Sequence, residues 1–369
     1  MSVPPARPAA TAAVALGLGL LLLLTLAPAS ATRMQTWPFA AAAAGFWLLP
    51  VVIAVVRLAL RRPDARLGGP LDLAFAALAL AGLAATAVSP LRATLAPHLL
   101  PFLGALALPY ALRPLVRSPR LDLASIAFLA PLLLATGALW LAAPANLAAP
   151  HERNDQPFGH ANATGSVCAL AACWSLYLAT RAPSRVWRLV HLGSAALALL
   201  HVGFSQSRGS LLALAAAALV VAGLVFLRRG RLLLFLGVGA LTVGTLVVSN
   251  ARLREAALTG RWSGADSESN AQRLAMIAGG FALAAERPLL GWGPGSVPHV
   301  FPAVRARLPG QPDNYLQLHN TPAQLAATLG LAGLLAASAL LLALGLRLRS
   351  ALRDLANEPQ TLALAAALA

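Results

Sequence analysis

The chain has 369 residues, of which 59% are hydrophobic and only 11% are charged. This composition, with several apolar runs of about 20 residues, is typical of a polytopic α-helical membrane protein and excludes an ordinary soluble fold. The formal net charge is +16, and every basic residue is an arginine. Because most of these arginines stand in short clusters between apolar segments, they indicate membrane topology, and we expect no nucleic-acid partner.

Apolar segments long enough to cross a membrane follow one another along most of the chain. We predict an all-α fold with about 10–11 transmembrane helices and one long outer loop, residues 250–320, that contains short helices. The predicted spans are residues 9–29, 38–60, 69–90, 95–116, 121–143, 161–180, 187–205, 209–227, 232–249 and 322–346.

Arginines alternate between the loops and give the predicted orientation. The loops of one parity carry the clusters, whereas the short loops of the other parity hold the single residues Arg33, Arg92, Arg153 and Arg208. Clustered arginines mark cytoplasmic loops, so the loops of the other parity, which include residues 250–320, lie outside. Long loops are exempt from this rule, so the arginines of residues 250–320 do not contradict this position. We therefore expect the long loop to face outward. The clusters lie at residues 57–66, 113–120, 181–188, 228–231 and 347–353.

Both ends of the chain carry apolar stretches. The segment "MSVPPARPAA", an apolar run and then Ala29, Ser30 and Ala31 resemble a signal peptide. The apolar run is longer than a usual signal core, so we predict a retained first span. The last residues, "TLALAAALA", are too short to span a membrane and look like the start of another helix.

No motif for a metal or a cofactor is found in the sequence. The two cysteines, Cys168 and Cys173, fall in one predicted span and are expected to be small packing residues. The chain has no CxxC, HExxH or P-loop pattern. We therefore predict neither a metal site nor a cofactor.

Arg208 is a charged residue at the start of a predicted span. A cation at an outward-facing helix N-terminus opposes the helix dipole, and its partial burial adds a further cost. An anion there would reverse both effects, because the free N–H groups of the helix and a guanidinium fork both suit phosphate. A snorkelling arginine at the interface explains the residue equally well.

Two further segments of the long loop favour the anion-site interpretation. The segment "SESNAQRLAMIAGGFALAAERP" predicts a helix over residues 269–286, with Arg273 in its first turn or two. In "HNTPAQ", Thr321 as N-cap, Pro322 and Gln324 predict a capping box at the start of the last span. His319 stands just before that cap.

Between these segments lies a glycine-rich connection. In "LLGWGPGSVPHVF", Gly291, Gly293 and Gly295 alternate with other residues. Such glycines allow positive φ and close backbone approach, which suits either a groove for a ligand or a plain structural turn. Asp313, Asn314 and Tyr315 follow and bring hydrogen-bonding groups close to His319 along the chain.

Together these residues resemble the O-antigen ligase and polymerase family. The resemblance rests on "SQSRGSLLALA", the helix with Arg273, "PLLGWGPGSV" and "HNTPAQLAATLGLAGLL", in that order, and on "QPFGHANATGS" upstream. It covers about half of the chain. Members of the family usually have about a dozen spans, more than this sequence contains.

The resemblance implies glycosyl transfer from a lipid carrier at the periplasmic face of a bacterial inner membrane. The donor would be an undecaprenyl-diphosphate-linked glycan and the acceptor a sugar hydroxyl of lipid A core or another glycan, with no metal or cofactor. Arg208 and Arg273 correspond to arginines that hold the diphosphate, and His319 to the histidine that orients or deprotonates the acceptor. Neighbouring residues expected to contact the substrates are Ser207, Gly209, Gly291, Gly293, Gly295, Asn320, Tyr315, His160 and Asn162.

Other functions remain open at this point. Within the family, a polymerase would join lipid-linked repeats, and a protein glycosyltransferase would use a serine or threonine as acceptor. A transporter or flippase would require ionisable residues inside the spans and inverted repeats. His191 and His201 lie toward the two ends of one predicted span, which favours interfacial or helix-packing residues over proton relays.

The sequence divides into three predicted regions. Residues 1–155 are expected to form N-terminal transmembrane helices, and residues 156–346 the ligase-like catalytic core with the outer loop. Residues 347–369 are expected to be a cytoplasmic loop and the start of a last helix.

Overall fold

The computed structural model describes residues 37, 39–62, 66–116, 121–141, 161–226, 264–308 and 317–354, with isolated positions between 233 and 258. Every element in these ranges is a helix, and no strand occurs in them. The helices are α1 (Phe39–Ala59), α2 (Gly69–Val88), α3 (Arg92–Val116), α4 (Leu121–Leu141), α5 (Ala161–Arg181), α6 (Arg185–Ser205), α7 (Arg208–Phe226), α8 (Gly264–Glu286), α9 (Val297–Arg305) and α10 (Thr321–Asp354).

The protein is a polytopic membrane protein, as its composition predicted. Seven of the described helices, α1 to α6 and α10, are long and apolar enough to cross a membrane. α7 coincides with the predicted span 209–227 and is apolar from Gly209 to Leu219. The predicted spans 9–29 and 232–249 lie outside the described residues or almost entirely so.

Large apolar side chains cover the outer surfaces of these helices. Leu73 is 72% exposed, Leu170 is 71% exposed and Leu341 is 70% exposed. In water such surfaces would be costly, whereas hydrocarbon chains of a bilayer solvate them without penalty. Small residues, mainly alanine, fill the buried positions between the helices.

The described helices fall into two compact units. The first comprises residues 1–46, 115–260 and 348–369, and the second comprises residues 47–114 and 261–347. In the first unit α5 packs along α6, while α4 packs on α6 and α7 packs on α5. Its apolar core includes Cys168, which is buried and free, as expected for a small packing residue.

Two buried histidines tie α4 to α6 in the first unit. His191 is fully buried, and its Nε2 lies 2.6 Å from Oδ1 of Asp122. Nε2 of His201 donates to the carbonyl of Leu133 at 3.1 Å. Both imidazoles therefore join α4 to α6.

In the second unit α8 and α9 pack against the start of α10. Their shared core contains Met276, Leu283, Phe301 and Leu318. Gly280 on α8 allows this close approach, because a Cβ there would lie 2.7 Å from Leu318 Cδ1 and 2.9 Å from Ala323 Cβ. α8 begins at Gly264, earlier than the predicted residue 269, and ends at Glu286 before Pro288 as predicted.

A break at Gly330 divides α10. Gly330 has φ 60° and ψ −154°, which is not helical. The hydrogen bonds lost there are replaced by the loop after α8: the carbonyls of Ala327 and Thr328 accept the N–H groups of Trp292 and Gly293 at 2.9 and 2.8 Å. In return, the N–H groups of Leu331 and Ala332 donate to the carbonyls of Pro288 and Leu289 at 2.8 and 3.1 Å. The sequence did not predict this break.

Candidate functional site

Arg208 opens α7 directly after a tight turn at the end of α6. Gln206 takes the left-handed conformation (φ 49°) and ends α6, and its side-chain amide donates to the carbonyl of Gly203 at 2.8 Å. Ser207 is the N-cap of α7, since its Oγ accepts the N–H of Ser210 at 3.4 Å. Arg208 is therefore the first residue of its helix, where the sequence had placed it.

A cluster of buried serines holds this turn. The serine cluster consists of Ser205, Ser207 and Ser210, all at most 2% exposed. The Oγ of Ser210 donates to that of Ser207 at 2.9 Å, and the N–H of Ser207 donates to Ser205 Oγ at 3.2 Å. Gly165 of α5 lies against it: a Cβ there would be 2.6 Å from the Oγ atoms of both Ser205 and Ser210. The cluster thus fixes the backbone that carries Arg208.

His319 is exposed and has a backbone conformation that is rare for residues other than glycine. Its φ is 48°, in the left-handed region. On one side Leu318 is 1% exposed and donates its N–H to Oε1 of Gln324 at 2.9 Å. On the other side Asn320 accepts the N–H of Ala323 at 2.9 Å through its side chain. His319 is therefore held between two anchored residues.

The cap of α10 differs from the prediction by one residue. Asn320, not Thr321, is the N-cap, because its Oδ1 accepts the N–H of Ala323, the third residue of the helix. Gln324 still reaches back over the helix start, as in a capping box, but its partner is the N–H of Leu318. The side chain of Asn320, expected to contact substrate, thus serves the helix end.

Arg273 lies on an exposed part of α8, but not at the helix N-terminus. Because α8 starts at Gly264, Arg273 is in the third turn, and the predicted position in the first turn or two is wrong. The helix dipole therefore contributes little at this residue. Arg273 precedes Gly280 by two turns, about 10 Å along the axis, so both share the face that packs on the start of α10.

The glycines Gly291, Gly293 and Gly295 all have positive φ, of 65°, 100° and 80°. Gly291 packs on the backbone of α10, where a Cβ would be 2.5 Å from the carbonyl carbon of Thr328. A Cβ on Gly293 would be 2.8 Å from Leu95 Cδ1, and one on Gly295 would collide with the ring of His98. Close packing within the second unit is enough to require glycine at all three positions.

Other site predictions are distributed between the two units. Ser207, Gly209 and Asn162 belong to the first unit, with Gly209 exposed and Asn162 half-buried in the first turn of α5. Arg273, the three glycines, His319 and Asn320 belong to the second unit. His160 and Tyr315 lie outside the described residues.

Several residues that shape these sites were not predicted from the sequence. Arg287 stacks on Trp292, with its guanidinium carbon 4.6 Å from the ring centre, and donates to the carbonyl of Val88 at 3.3 Å. Nothing in the sequence marks Gly165 as a position of close helix packing, since small residues are common in any apolar helix. Within the described residues, no group of three or more metal-ligating side chains could hold an ion.

One segment of the chain matches a known protein family. Residues 192–338 match the family model described as O-Antigen ligase, and this segment contains Arg208, Arg273 and His319. His160 and Asn162 lie before it. No curated protein sequence matches the chain significantly. Residues 192–338 therefore match the O-antigen ligase family, whose members are membrane enzymes of glycan assembly.

Proposed function

We propose that the protein is a glycosyltransferase of the O-antigen ligase type. It transfers a glycan from undecaprenyl diphosphate to a sugar hydroxyl of lipid A core, on the periplasmic face of the bacterial inner membrane. The observation that carries the proposal is the placement of His319, exposed in a left-handed conformation at the start of α10 and inside the segment that matches the family.

The proposed reaction divides the work between an imidazole and two guanidinium groups. His319 takes the proton of the acceptor hydroxyl, and the hydroxyl oxygen forms a bond to the anomeric carbon of the donor glycan. The bond from that carbon to the diphosphate breaks, and the diphosphate leaves with the electron pair. Arg208 and Arg273 stabilise the leaving group with bidentate hydrogen bonds. The reaction needs no metal.

The domain organisation and the orientation are part of the same proposal. Residues 156–346 form the catalytic core, with the helices of residues 1–155 before it and residues 347–369 after it. Alternation of the arginine clusters supports a periplasmic position for the loop at residues 250–320. Because Arg208 and His319 each stand near the start of a helix that would run from outside to inside, both would then face the same compartment.

Exchange of the acceptor tests the reaction class. Purified protein is given a labelled undecaprenyl-diphosphate glycan together with either lipid A core or an excess of the lipid-linked repeat. A ligase labels lipid A core, whereas a polymerase of the same family produces a ladder of longer lipid-linked glycans. Labelled ladders with unlabelled lipid A core would replace the ligase assignment by that of a polymerase.

Cysteine labelling tests the orientation. Gln317 and Ser350 are both exposed and lie at opposite ends of the membrane-spanning part of α10. In a cysteine-free background, we expect a membrane-impermeant thiol reagent to label Gln317→Cys, but not Ser350→Cys, in cells with a permeabilised outer membrane. The reverse pattern would invert the orientation and remove the periplasmic site.

A further inference from the structure

A groove in the second unit runs between α1, α2 and α3. Its volume is about 660 Å³, within the range of small-ligand sites, and its walls are almost entirely apolar. Val55, Leu58 and Leu73 line it and are 58%, 44% and 72% exposed, so the groove opens on the surface that faces the bilayer. Arg208, Arg273 and His319 are not among the residues that line it.

The depth of the groove matches one leaflet of a membrane. Along α1 it extends from Leu58 to Val51, and along α3 from Tyr110 to Leu103, about 10 Å in each case. Along α2 it extends from Gly69 to Ala79, about 15 Å. Half of the hydrocarbon core of a bilayer is about 15 Å thick. A single acyl chain of one leaflet therefore fits the groove lengthwise, whereas an undecaprenyl chain is several times longer.

One end of the groove is polar and strongly basic. Arg66 lines this end. Arg347 also lies there, with its Nη2 donating to the carbonyl of Gly68 at 3.4 Å. Further arginines stand in the last turns of α1 and α3 and in the loop between α1 and α2. They are Arg57, Arg61, Arg62 and Arg113.

The single acidic side chain described between residues 47 and 114 does not cancel this charge. Asp72 accepts the N–H groups of Leu67 and Gly68 at 2.9 and 3.0 Å, and the hydroxyl of Tyr110 at 3.0 Å. These three bonds engage both carboxylate oxygens. The six arginines outnumber the two carboxylates of this part of the sequence, Asp64 and Asp72, so the end of the groove has a net positive charge at the headgroup region of the membrane.

We propose that this groove is a binding site for an anionic glycerophospholipid. One acyl chain lies between α1, α2 and α3, and the lipid phosphate lies at the end marked by Arg66. Basic pockets between membrane helices attract anionic headgroups, at roughly 1 kcal/mol for each arginine near the surface. In the proposed orientation this lipid belongs to the cytoplasmic leaflet, away from the glycan donor.

The test compares two lipids that differ in headgroup charge. Purified full-length protein is incubated with an equimolar mixture of phosphatidylglycerol and phosphatidylcholine with the same acyl chains. Retained lipid is then counted by mass spectrometry of the intact complex. We expect about one phosphatidylglycerol to be retained in preference to phosphatidylcholine. Equal retention of the two lipids would overturn the proposal.

Two pairs of variants locate the site. Arg66→Gln should weaken retention of phosphatidylglycerol about fivefold, while Arg92→Gln, at the opposite end of α3, should not. Ala76→Trp fills the groove and should abolish retention, whereas Ala77→Trp, the neighbouring residue outside the groove, should leave it intact. Equal behaviour within either pair would contradict the assignment.

Two further results also decide whether a phospholipid occupies the groove. Arg66 is an exposed loop residue, so Arg66→Gln keeps the test decisive if the tryptophan variant does not accumulate.

Undecaprenyl phosphate is added as a competitor to the wild-type protein and to Ala76→Trp. If it displaces phosphatidylglycerol from the wild type and loses its own binding in Ala76→Trp, the occupant is an isoprenoid and the proposal is wrong.

Discussion

His319 combines an exposed imidazole with a backbone conformation that is costly for a residue with a Cβ. Left-handed φ outside glycine costs on the order of 1–3 kcal/mol and persists where the surrounding structure enforces it. Here the enforcement comes from Leu318 and Asn320, each anchored to α10 by a hydrogen bond. The sequence placed His319 next to a helix cap but could not predict its φ, because the pairing of Leu318 with Gln324 depends on the folded turn.

Replacing His319 by glycine separates the effect of backbone strain on stability from the effect of the imidazole on glycan transfer. Glycine adopts positive φ without penalty, so we expect His319→Gly to accumulate and to be at least as stable as the wild type. Loss of the imidazole should nevertheless lower transfer by about 10²–10⁴-fold. His319→Gln should be similarly inactive, because an amide can hydrogen-bond but takes no proton at neutral pH. The measurements are transfer of labelled glycan, donor binding and thermal stability in detergent.

Three outcomes of this experiment would change the role of His319. Near-normal transfer by His319→Gln would remove the general base. Loss of donor binding in both variants would place His319 with the diphosphate. A large drop in stability for His319→Gly would make the imidazole a structural group.

The two arginines are expected to require a guanidinium and not only a positive charge. Arg208→Lys and Arg273→Lys each lose the planar fork that matches a diphosphate. The loss of one charge-assisted contact costs about 1.5–3 kcal/mol, or roughly ten- to a hundredfold in rate. Arg307→Lys is the control, an exposed arginine of the same unit as Arg273. If both site variants turn over as fast as Arg307→Lys, neither arginine contacts the leaving group.

At the scale of elements, Gly165 determines how closely α5 approaches the turn that carries Arg208. An alanine Cβ at Gly165 would be 2.6 Å from two serine oxygens and 2.9 Å from Ser207 Cβ, so the hydroxyls must leave their hydrogen-bonded positions or a helix must shift. Such overpacking costs about 1–3 kcal/mol. We expect Gly165→Ala to lower both thermal stability and transfer. Adding Ser210→Ala removes one of the two contacts and should restore part of each.

Gly193 provides the matched control for Gly165. It lies in α6, and a Cβ there meets nothing within 4 Å. Gly193→Ala should therefore raise stability slightly, by about 0.5–1 kcal/mol, and leave transfer unchanged. Equal effects of the two alanines would show that the serine cluster tolerates extra volume and does not fix Arg208.

The break in α10 gives a second prediction at this scale. At Gly330 an alanine Cβ would be 2.6 Å from the carbonyl carbon of Leu289, in a conformation that only glycine adopts readily. We expect Gly330→Ala to disrupt the backbone bonds between α10 and the loop after α8 and to lower the thermal stability strongly. Gly345→Ala, in the same helix with nothing within 4 Å, should have no such effect. Similar melting temperatures for the two variants would contradict the pairing.

The elements differ in how well the sequence predicted them. The end of α6 and the start of α7 follow from "SQSRGS", because serine caps a helix and the apolar run after it continues the new helix. The start of α8 was placed too late, since "GADSES" contains residues that also favour caps and turns. The break at Gly330 could not be predicted, because a glycine in an apolar run also fits an unbroken span, and its partner loop is distant in sequence.

At the scale of the whole molecule, the length of the apolar segments predicted most of the described helices. The seven described membrane-spanning helices match predicted spans because hydrophobic length is a direct requirement of the bilayer. Periodicity cannot predict that residues 47–114 and 261–347 form one compact unit, since this depends on contacts between segments far apart in the chain. The order of motifs nevertheless identified the family that residues 192–338 match.

In the proposed reaction, undecaprenyl diphosphate is the leaving group and no metal takes part. The most direct measurement is the ratio of undecaprenyl diphosphate released to glycan joined to lipid A core, with purified protein and excess EDTA. We predict a ratio of one and an unchanged rate when EDTA is present. Release of undecaprenyl monophosphate, or loss of transfer on chelation with recovery on adding Mg²⁺, would contradict the account.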